Sequence, residues 1–250
     1  MVIPTKNAAH LLRDCLPTVS WADEIIVVDE FSTDDTVAVC AEYSQCVVHQ
    51  HEDYIQANYN FGFALAKSDW VMRLDADERI TPELAAEIPG LIRDAPADVA
   101  GYCFWERPVI MGRELRHGWA KRHHRQMLFR RGTAHYPLRT EHDALEGSGR
   151  WMRGRHGYLH LNYDSPAQFL VKVRRYIERD VPRAELPARR PALWRPAVEA
   201  VRAFWFYYLK SQGFRDGRRG LIDAGLRAYY RWAEARALRA RWDSERGKRA

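Results

Sequence analysis

The sequence predicts an α/β fold built on a parallel sheet, followed by a helical carboxy-terminal segment rich in arginine and aromatic residues. Three observations carry that expectation. Short β-branched runs alternate with amphipathic stretches through the first 80 residues, several of those runs close on an acid, and the texture changes near residue 101 and again near 165. Strands alternating with helices at this spacing imply right-handed crossovers and a sheet buried on both faces.

The elements follow in order. The apolar pair Val2-Ile3 is followed by polar Thr5-Lys6-Asn7 and by an amphipathic stretch from Ala8 to Val19. Glu24-Ile-Ile-Val-Val-Asp29 is almost purely β-branched, which reads as a buried strand. Ser32-Thr-Asp-Asp35 offers N-cap side chains to a helix reaching about Tyr43, and Cys46-Val-Val-His49 reads as a third strand. A helix from Gln56 to Lys67 then precedes the fourth strand, Trp70-Val-Met-Arg-Leu-Asp75. Ligands of such sheets bind at the carboxyl ends of the strands. Thr5/Asn7, Asp29/Glu30 and Asp75/Asp77 fall at those ends. From Gly101 the segments Tyr102–Glu106, Gln126–Arg130 and Gly157–Leu161 read as antiparallel strands. Helices resume at Ser165-Pro166, an N-cap and N1 pair, and are interrupted by the Pro-rich stretch from Pro182 to Pro196.

Composition narrows the class. At 250 residues, 46% hydrophobic and 29% charged, the chain is long enough for one sizeable core and a small appendage. Its four cysteines show no CxxC spacing, so reduced, cytosolic-type thiols are expected. The amino terminus lacks a basic region followed by an apolar one, so the active site is expected to face the cytoplasm. The net charge of +6 is uneven: residues 181–250 carry 17 Lys/Arg against 7 Asp/Glu, leaving residues 1–180 at −4. The apolar run Ala203–Leu209 is far shorter than the roughly 20 residues that span a bilayer, so no transmembrane helix is expected. The acidic first 180 residues and the lack of a recognition motif argue against nucleic-acid binding despite a pI near 9.2. No G-x-G-x-x-G follows the first strand, which argues against a dinucleotide-dependent dehydrogenase.

The chemistry concentrates in Leu74-Asp75-Ala76-Asp77-Glu78. On an extended chain, side chains two apart share a side, so Asp75 and Asp77 could hold one divalent cation between them. Mg²⁺ or Mn²⁺ takes oxygen ligands, commonly one or two carboxylates plus substrate phosphates. Solvated turn acids are the plainer explanation of the motif taken alone.

Its company changes that. Val2-Ile-Pro-Thr-Lys-Asn7, Ile25-Ile-Val-Val-Asp-Glu-Phe-Ser-Thr-Asp-Asp-Thr36 and Trp70-Val-Met-Arg-Leu-Asp-Ala-Asp-Glu78, in that order, resemble the signature of the family 2 glycosyltransferases with the GT-A fold. Within that family the chain is most similar to the lipopolysaccharide-core β-glucosyltransferase branch. Ser20–Glu24, Gln126–Arg131 and Lys210-Ser-Gln-Gly-Phe-Arg-Asp-Gly217 echo its further elements. The resemblance implies a GT-A catalytic domain over 1–160, with a nucleotide-sugar half at 1–100 and an acceptor half at 101–160, and an accessory helical segment at 161–250. It implies a metal-dependent inverting hexosyltransferase that uses a UDP-sugar, glucose first among the candidates, and a lipopolysaccharide-core or other lipid-linked acceptor. Carried over by residue, Pro4, Thr5, Asn7, Asp29, Glu30 and Asp75 would bind the nucleotide sugar, and Asp77 with Asp75 would bind Mg²⁺ or Mn²⁺. Glu30 stands where the family often has another acid or serine, and Phe31 where it often has glycine. Asp29 could instead serve only as a turn or helix cap.

Inversion requires a base that deprotonates the acceptor hydroxyl opposite the leaving diphosphate. The family's base follows the antiparallel segment, where this chain has Arg139-Thr-Glu-His-Asp143, so the resemblance points to Asp143, with Glu141 as the alternative on the same face of a strand. The tract Lys121-Arg-His-His-Arg125 could bind diphosphate or an acidic acceptor, or be a solvated loop. Arg130 and Arg131 could hold phosphate or protect a strand edge. Aromatics and arginines interleave from Trp205 to Trp232, a composition suited to the headgroup layer of an anionic inner membrane. The same pattern would serve a helical pair packed on the catalytic domain with a solvated basic face.

Overall fold

The computed structural model describes residues 1–118, 124–138 and 144–246. It divides into two compact units: Met1–Arg107 with His123–His160, and Pro108–Arg122 with Leu161–Ala250.

In the first unit β1 (Val2–Thr5), β2 (Ile25–Asp29) and β3 (Cys46–Gln50) form a parallel sheet in the order β1-β2-β3. The register sets Thr5 beside Asp29 and Asp29 beside Gln50, so the polar ends of the strands share one edge. The side chains of Ile25, Ile26, Val27 and Val28 are all buried, each contributing roughly 1.5–3 kcal/mol of transfer free energy. Both faces are covered: α1 (Ala9–Cys15) turns Leu12 and Cys15 inward, α2 (Thr36–Ala41) turns Val39 and Cys40 inward, and α3 (Ile55–Leu65) packs on β1 and β2. Gly62 permits that last approach, since a Cβ there would stand 2.3 Å from Val2 Cγ1.

The chain after β4 (Trp70–Met72) runs alongside β1, with Arg73 bridged to Val2 and Leu74 N–H donating to Val2 O at 3.0 Å. β4 also opens an antiparallel sheet with β5 (Glu78–Ile80), β6 (Val99–Ile110), β8 (His124–Arg130) and β11 (Arg150–Tyr163), in the order β4-β8-β6-β11-β5. The two-stranded ribbon of β9 (Ala134–His135) and β10 (Glu146–Gly147) stands apart from it. Helix α4 (Pro82–Arg93) begins on Thr81, whose Oγ1 accepts from Leu84 N, with Pro82 at the first helical position. The sequence reading anticipated the three parallel strands and the three antiparallel segments, but it placed Trp70–Asp75 in the parallel sheet, whereas β4 pairs antiparallel with β8 and only Arg73 bridges to β1. It did not anticipate β5 or α4.

The second unit pairs β7 (Arg113–Glu114) with the end of β6 and then becomes helical: α5 (Pro166–Asp180), α6 (Arg195–Phe204), a π-helical turn Trp205–Lys210, and the long α7 (Gly217–Arg246). Ser165 caps α5, as its Oγ accepts from Gln168 N. The segment Lys210–Gly217 closes the turn between α6 and α7 for steric reasons. Gln212 takes φ 61°, and a Cβ on Gly220 would lie 1.9 Å from Gly213 O. Asp216 accepts from the backbone N–H of Arg116 and His117 and from His117 Nδ1, which ties the 116–118 loop to this turn. Among the described residues no helix is long and apolar enough to cross a membrane.

Candidate active site

The carboxyl ends of β1 and β2 are held by a net of short polar contacts. Asp29 is fully buried, and its carboxylate accepts from Ser32 N, Ser32 Oγ and Gln50 Nε2. Asn7, at φ 49°, accepts from Thr33 N at 2.8 Å and donates its own N–H to Ser32 Oγ, joining the loop after β1 to the loop after β2. Asn58 of α3 donates to Glu30 Oε1 at 2.8 Å, and Lys6 Nζ lies 3.8 Å from the other Glu30 oxygen. Burial pushes the Glu30 carboxyl above its ordinary value, opposed by Lys6 and Asn58. Between these groups the Thr5 hydroxyl is buried and finds no hydrogen-bond partner among the described residues. Phe31 takes φ 52°, a backbone region that favours glycine, with its ring largely in solvent.

The acidic motif is not extended. Glu78 N–H donates to Asp75 O at 2.9 Å, closing a turn that reverses the chain from β4 into β5. This turn parts the two aspartates, where the sequence reading placed them side by side on a strand. The Asp75 carboxylate accepts from Tyr59 OH at 2.6 Å and from Arg73 Nη2 at 2.7 Å, with Arg125 Nη1 at 3.4 Å. Arg125 also donates to the fully buried Glu78 at 2.7 Å. Burial alone would raise the Asp75 pKa, yet the two guanidinium groups hold it well below the usual carboxylate range. Glu78, desolvated and facing Asp75, is pushed up to about 7. Two arginines, two carboxylates and a tyrosine therefore lock one another in place at the end of β4.

Asp77 turns elsewhere. Its Oδ2 lies 3.5 Å from His160 Nε2, and His160 Nδ1 lies 2.6 Å from Glu106 Oε1. Burial would lower the His160 pKa, but Asp77 and Glu106 raise it to about 10, so the imidazole holds a proton between two carboxylates. This is the arrangement in which a cation can replace the proton: a carboxylate orients one ring nitrogen while the other faces a second carboxylate. His160 reaches the motif through strand pairing, with His160 opposite Glu78 in the β11–β5 register. Arg73, Tyr59, Glu106 and His160 are residues of this arrangement to which the sequence reading gave no role; Glu78 stood in its acidic motif and Arg125 in the basic tract offered for diphosphate or an acidic acceptor. Glu106 left a trace, because it continues the buried alternation of Tyr102 and Phe104 with a charge. Asp143, Glu141 and most of the 121–125 tract lie outside the described residues.

The chain's relatives bear on this arrangement. The family model for Glycosyl transferase family 2 matches residues 1–149. The lipopolysaccharide core biosynthesis glycosyltransferase LpsC of Rhizobium meliloti is 23% identical over 236 residues, covering 92% of this chain and 87% of that protein. An uncharacterised glycosyltransferase of Rickettsia felis is 39% identical over 88 residues, where the match spans 34% of this chain and 31% of that protein. Among solved structures, S. aureus TarS 1–349, crystallised with UDP-GlcNAc, aligns at a TM-score of 0.51 and 17% identity over 99% of this chain and 91% of that one. The chain belongs to glycosyltransferase family 2 and has the GT-A fold.

Proposed function

We propose that the chain transfers a hexose, glucose first among the candidates, from a UDP-sugar to a hydroxyl of a lipopolysaccharide-core or other lipid-linked acceptor, with inversion at the anomeric carbon. The observation that carries this reading is the strand-end site, in which Asp77 and the His160–Glu106 pair stand beside the locked Asp75. The lipopolysaccharide-core role of the relative LpsC, similar over most of the chain, supports the acceptor class.

In this reading Pro4, Thr5, Asn7, Asp29 and Glu30 form the nucleoside end of the site. The orphan Thr5 hydroxyl supplies a hydrogen-bonding group that folding leaves unused, and such a group is costly to bury unless a ligand meets it. Asp77 and His160 would hold Mg²⁺ or Mn²⁺, while Asp75, committed to Tyr59, Arg73 and Arg125, would stay with the nucleotide sugar. The carboxylate suits either ion, and the imidazole, oriented by Glu106, favours Mn²⁺ over the harder Mg²⁺. Among the described residues no three acidic, histidine or cysteine side chains are placed to hold one metal ion, so phosphate oxygens and water would complete the coordination. When bound, the cation supplies Lewis-acid stabilisation of the departing diphosphate. Asp77 and His160 would hold the cation against that group, and Arg125 would add positive charge at the same end of the site. The acceptor oxygen forms its bond to the anomeric carbon as the bond to the UDP oxygen breaks. Its proton passes to a base carried by the 139–143 segment, Asp143 or Glu141.

Calorimetric titration with UDP tests the donor side. UDP binds with Mn²⁺ at least about tenfold more tightly than without it, and Asp77→Ala abolishes that difference while leaving the fold intact. A folded protein that binds neither UDP nor another nucleoside diphosphate would remove the donor-site assignment.

A further inference from the structure

The α6 helix carries an apolar stripe on the side it turns away from α7. Pro196 and Ala203 are its buried residues, and α6 packs along α7. Trp194, Val198, Val201 and Trp205 follow at i, i+4, i+7 and i+11, which at 3.6 residues per turn confines them to an arc of about 60°. Pro196 and Ala203 fall roughly opposite. The stripe is exposed: Trp194 at 66%, Val201 at 68% and Trp205 at 52%. Leu209, one turn on through the π-helical segment, extends it at 50%. Five such residues along about 22 Å of helix form a patch of the kind that soluble monomers seldom leave uncovered.

The flank of this stripe is cationic. Arg195 and Arg202 project about a quarter turn round the helix, and Lys210 follows at its end. Arg202 and Lys210 border a groove of about 770 Å³ whose other charged lining residues are Arg227, Arg231 and one acid, Glu199. Lys210 Nζ sits 5.7 Å above the Phe206 ring, and Arg227 Cζ 5.4 Å above that of Tyr207. Residues 181–250 carry an excess of ten positive charges, 17 against 7. An outward apolar ridge, indole rings at both ends and a basic flank together match one occupant, the headgroup layer of an anionic bilayer.

We propose that α6 and the π-helical turn after it lie in the plane of an anionic membrane surface, the stripe from Trp194 to Leu209 inserted below the headgroups and Arg202 and Lys210 set against lipid phosphates. This rests on the reading of a lipid-linked acceptor and gives that acceptor's membrane a defined contact on the chain. The charge term is sensitive to salt and the apolar term is not, so both should be legible in one assay.

The test is co-sedimentation of the full chain with vesicles of phosphatidylethanolamine and phosphatidylglycerol, against vesicles of phosphatidylcholine alone. The wild type partitions onto the anionic vesicles, and brominated acyl chains quench its tryptophan fluorescence. Val198→Asp with Val201→Asp lowers the partition at least about tenfold at any salt, whereas Arg202→Gln with Lys210→Gln lowers it about tenfold only at low salt. Should the paired aspartate variant fail to fold, Val201→Asp alone gives the same reading from a single exposed site. Equal partition by wild type and variants, or equal binding to both vesicle types, would overturn the proposal. So would a wild-type dimer in sedimentation equilibrium that Val201→Asp dissociates, since a second copy would then be what covers the stripe. UDP titration of the same samples separates the two readings: retained UDP binding without vesicle binding sinks only the membrane contact, and the converse sinks only the donor site.

Discussion

The end of β4 and the outer side of α6 use the same residue types, arginine with aromatics, in opposite ways. At β4 the guanidinium groups of Arg73 and Arg125 are committed to Asp75 and Glu78 inside the protein, and Tyr59 hydrogen-bonds to the same aspartate. On α6 Arg195 and Arg202 are exposed, Arg195 lying 4.0 Å from Glu199 at the surface, beside exposed indoles. Buried charges stay only where each is compensated, so every member of the first group fixes the others, and losing one leaves a charge uncovered. Exposed charges bind nothing in particular and cost little to lose, which frees the α6 surface to be shaped by what it touches. The lesson is that rigidity at the end of β4 and availability at the helix surface follow from burial, not from composition.

The sharpest way to break this contrast is Arg73→Met. It removes one cation from a buried network and should destabilise the protein by about 3–5 kcal/mol in urea unfolding. A cost below about 1 kcal/mol would mean that the network is solvated and the contrast false. A smaller effect is expected from Asp223→Ala in α7, where one buried carboxylate accepts from Tyr163 OH at 3.0 Å and from Arg227 Nε at 2.9 Å. Removing it takes the carboxylate from both the Tyr163 phenol and the Arg227 guanidinium and should cost about 1–3 kcal/mol. Its role is to show that the rule holds for any buried charge, including one inside the helical unit. The smallest effect is Phe31→Gly. Relief of the left-handed backbone should outweigh the added freedom of the unfolded chain by about 0.5 kcal/mol, read as a raised thermal midpoint. If UDP affinity falls in the same variant, the strained ring serves the donor site.

Much of the scaffold was legible from the chain because local pattern encodes it. Ile25–Val28 can only be buried, and an acid directly after such a run must emerge at the strand's carboxyl end, which located Asp29, Glu30, Asp75 and Asp77 without a structure. β5 escaped because two of its three residues are charged and the first of them closes the acidic motif. The rest of the site was hidden for a different reason. His160 meets Asp77 only through the pairing of β11 with β5, and Arg125 meets Glu78 across 47 residues of sequence, so no local window contains either pair. A charge in a buried position of an alternating strand, such as Glu106 after Tyr102 and Phe104, is the one signal that could have marked the second set. On α6 the spacing of Trp194, Val198, Val201 and Trp205 is plain in the sequence, but which side α7 covers is a tertiary fact.

The central claim, that Asp77 and His160 close a metal-dependent donor site, is met most directly by electron paramagnetic resonance of Mn²⁺ titrated with protein and UDP together. The account predicts that wild type removes the free-ion signal and that Asp77→Ala and His160→Ala, both folded, leave most of it. Equal capture of Mn²⁺ by the wild type and both variants would contradict it.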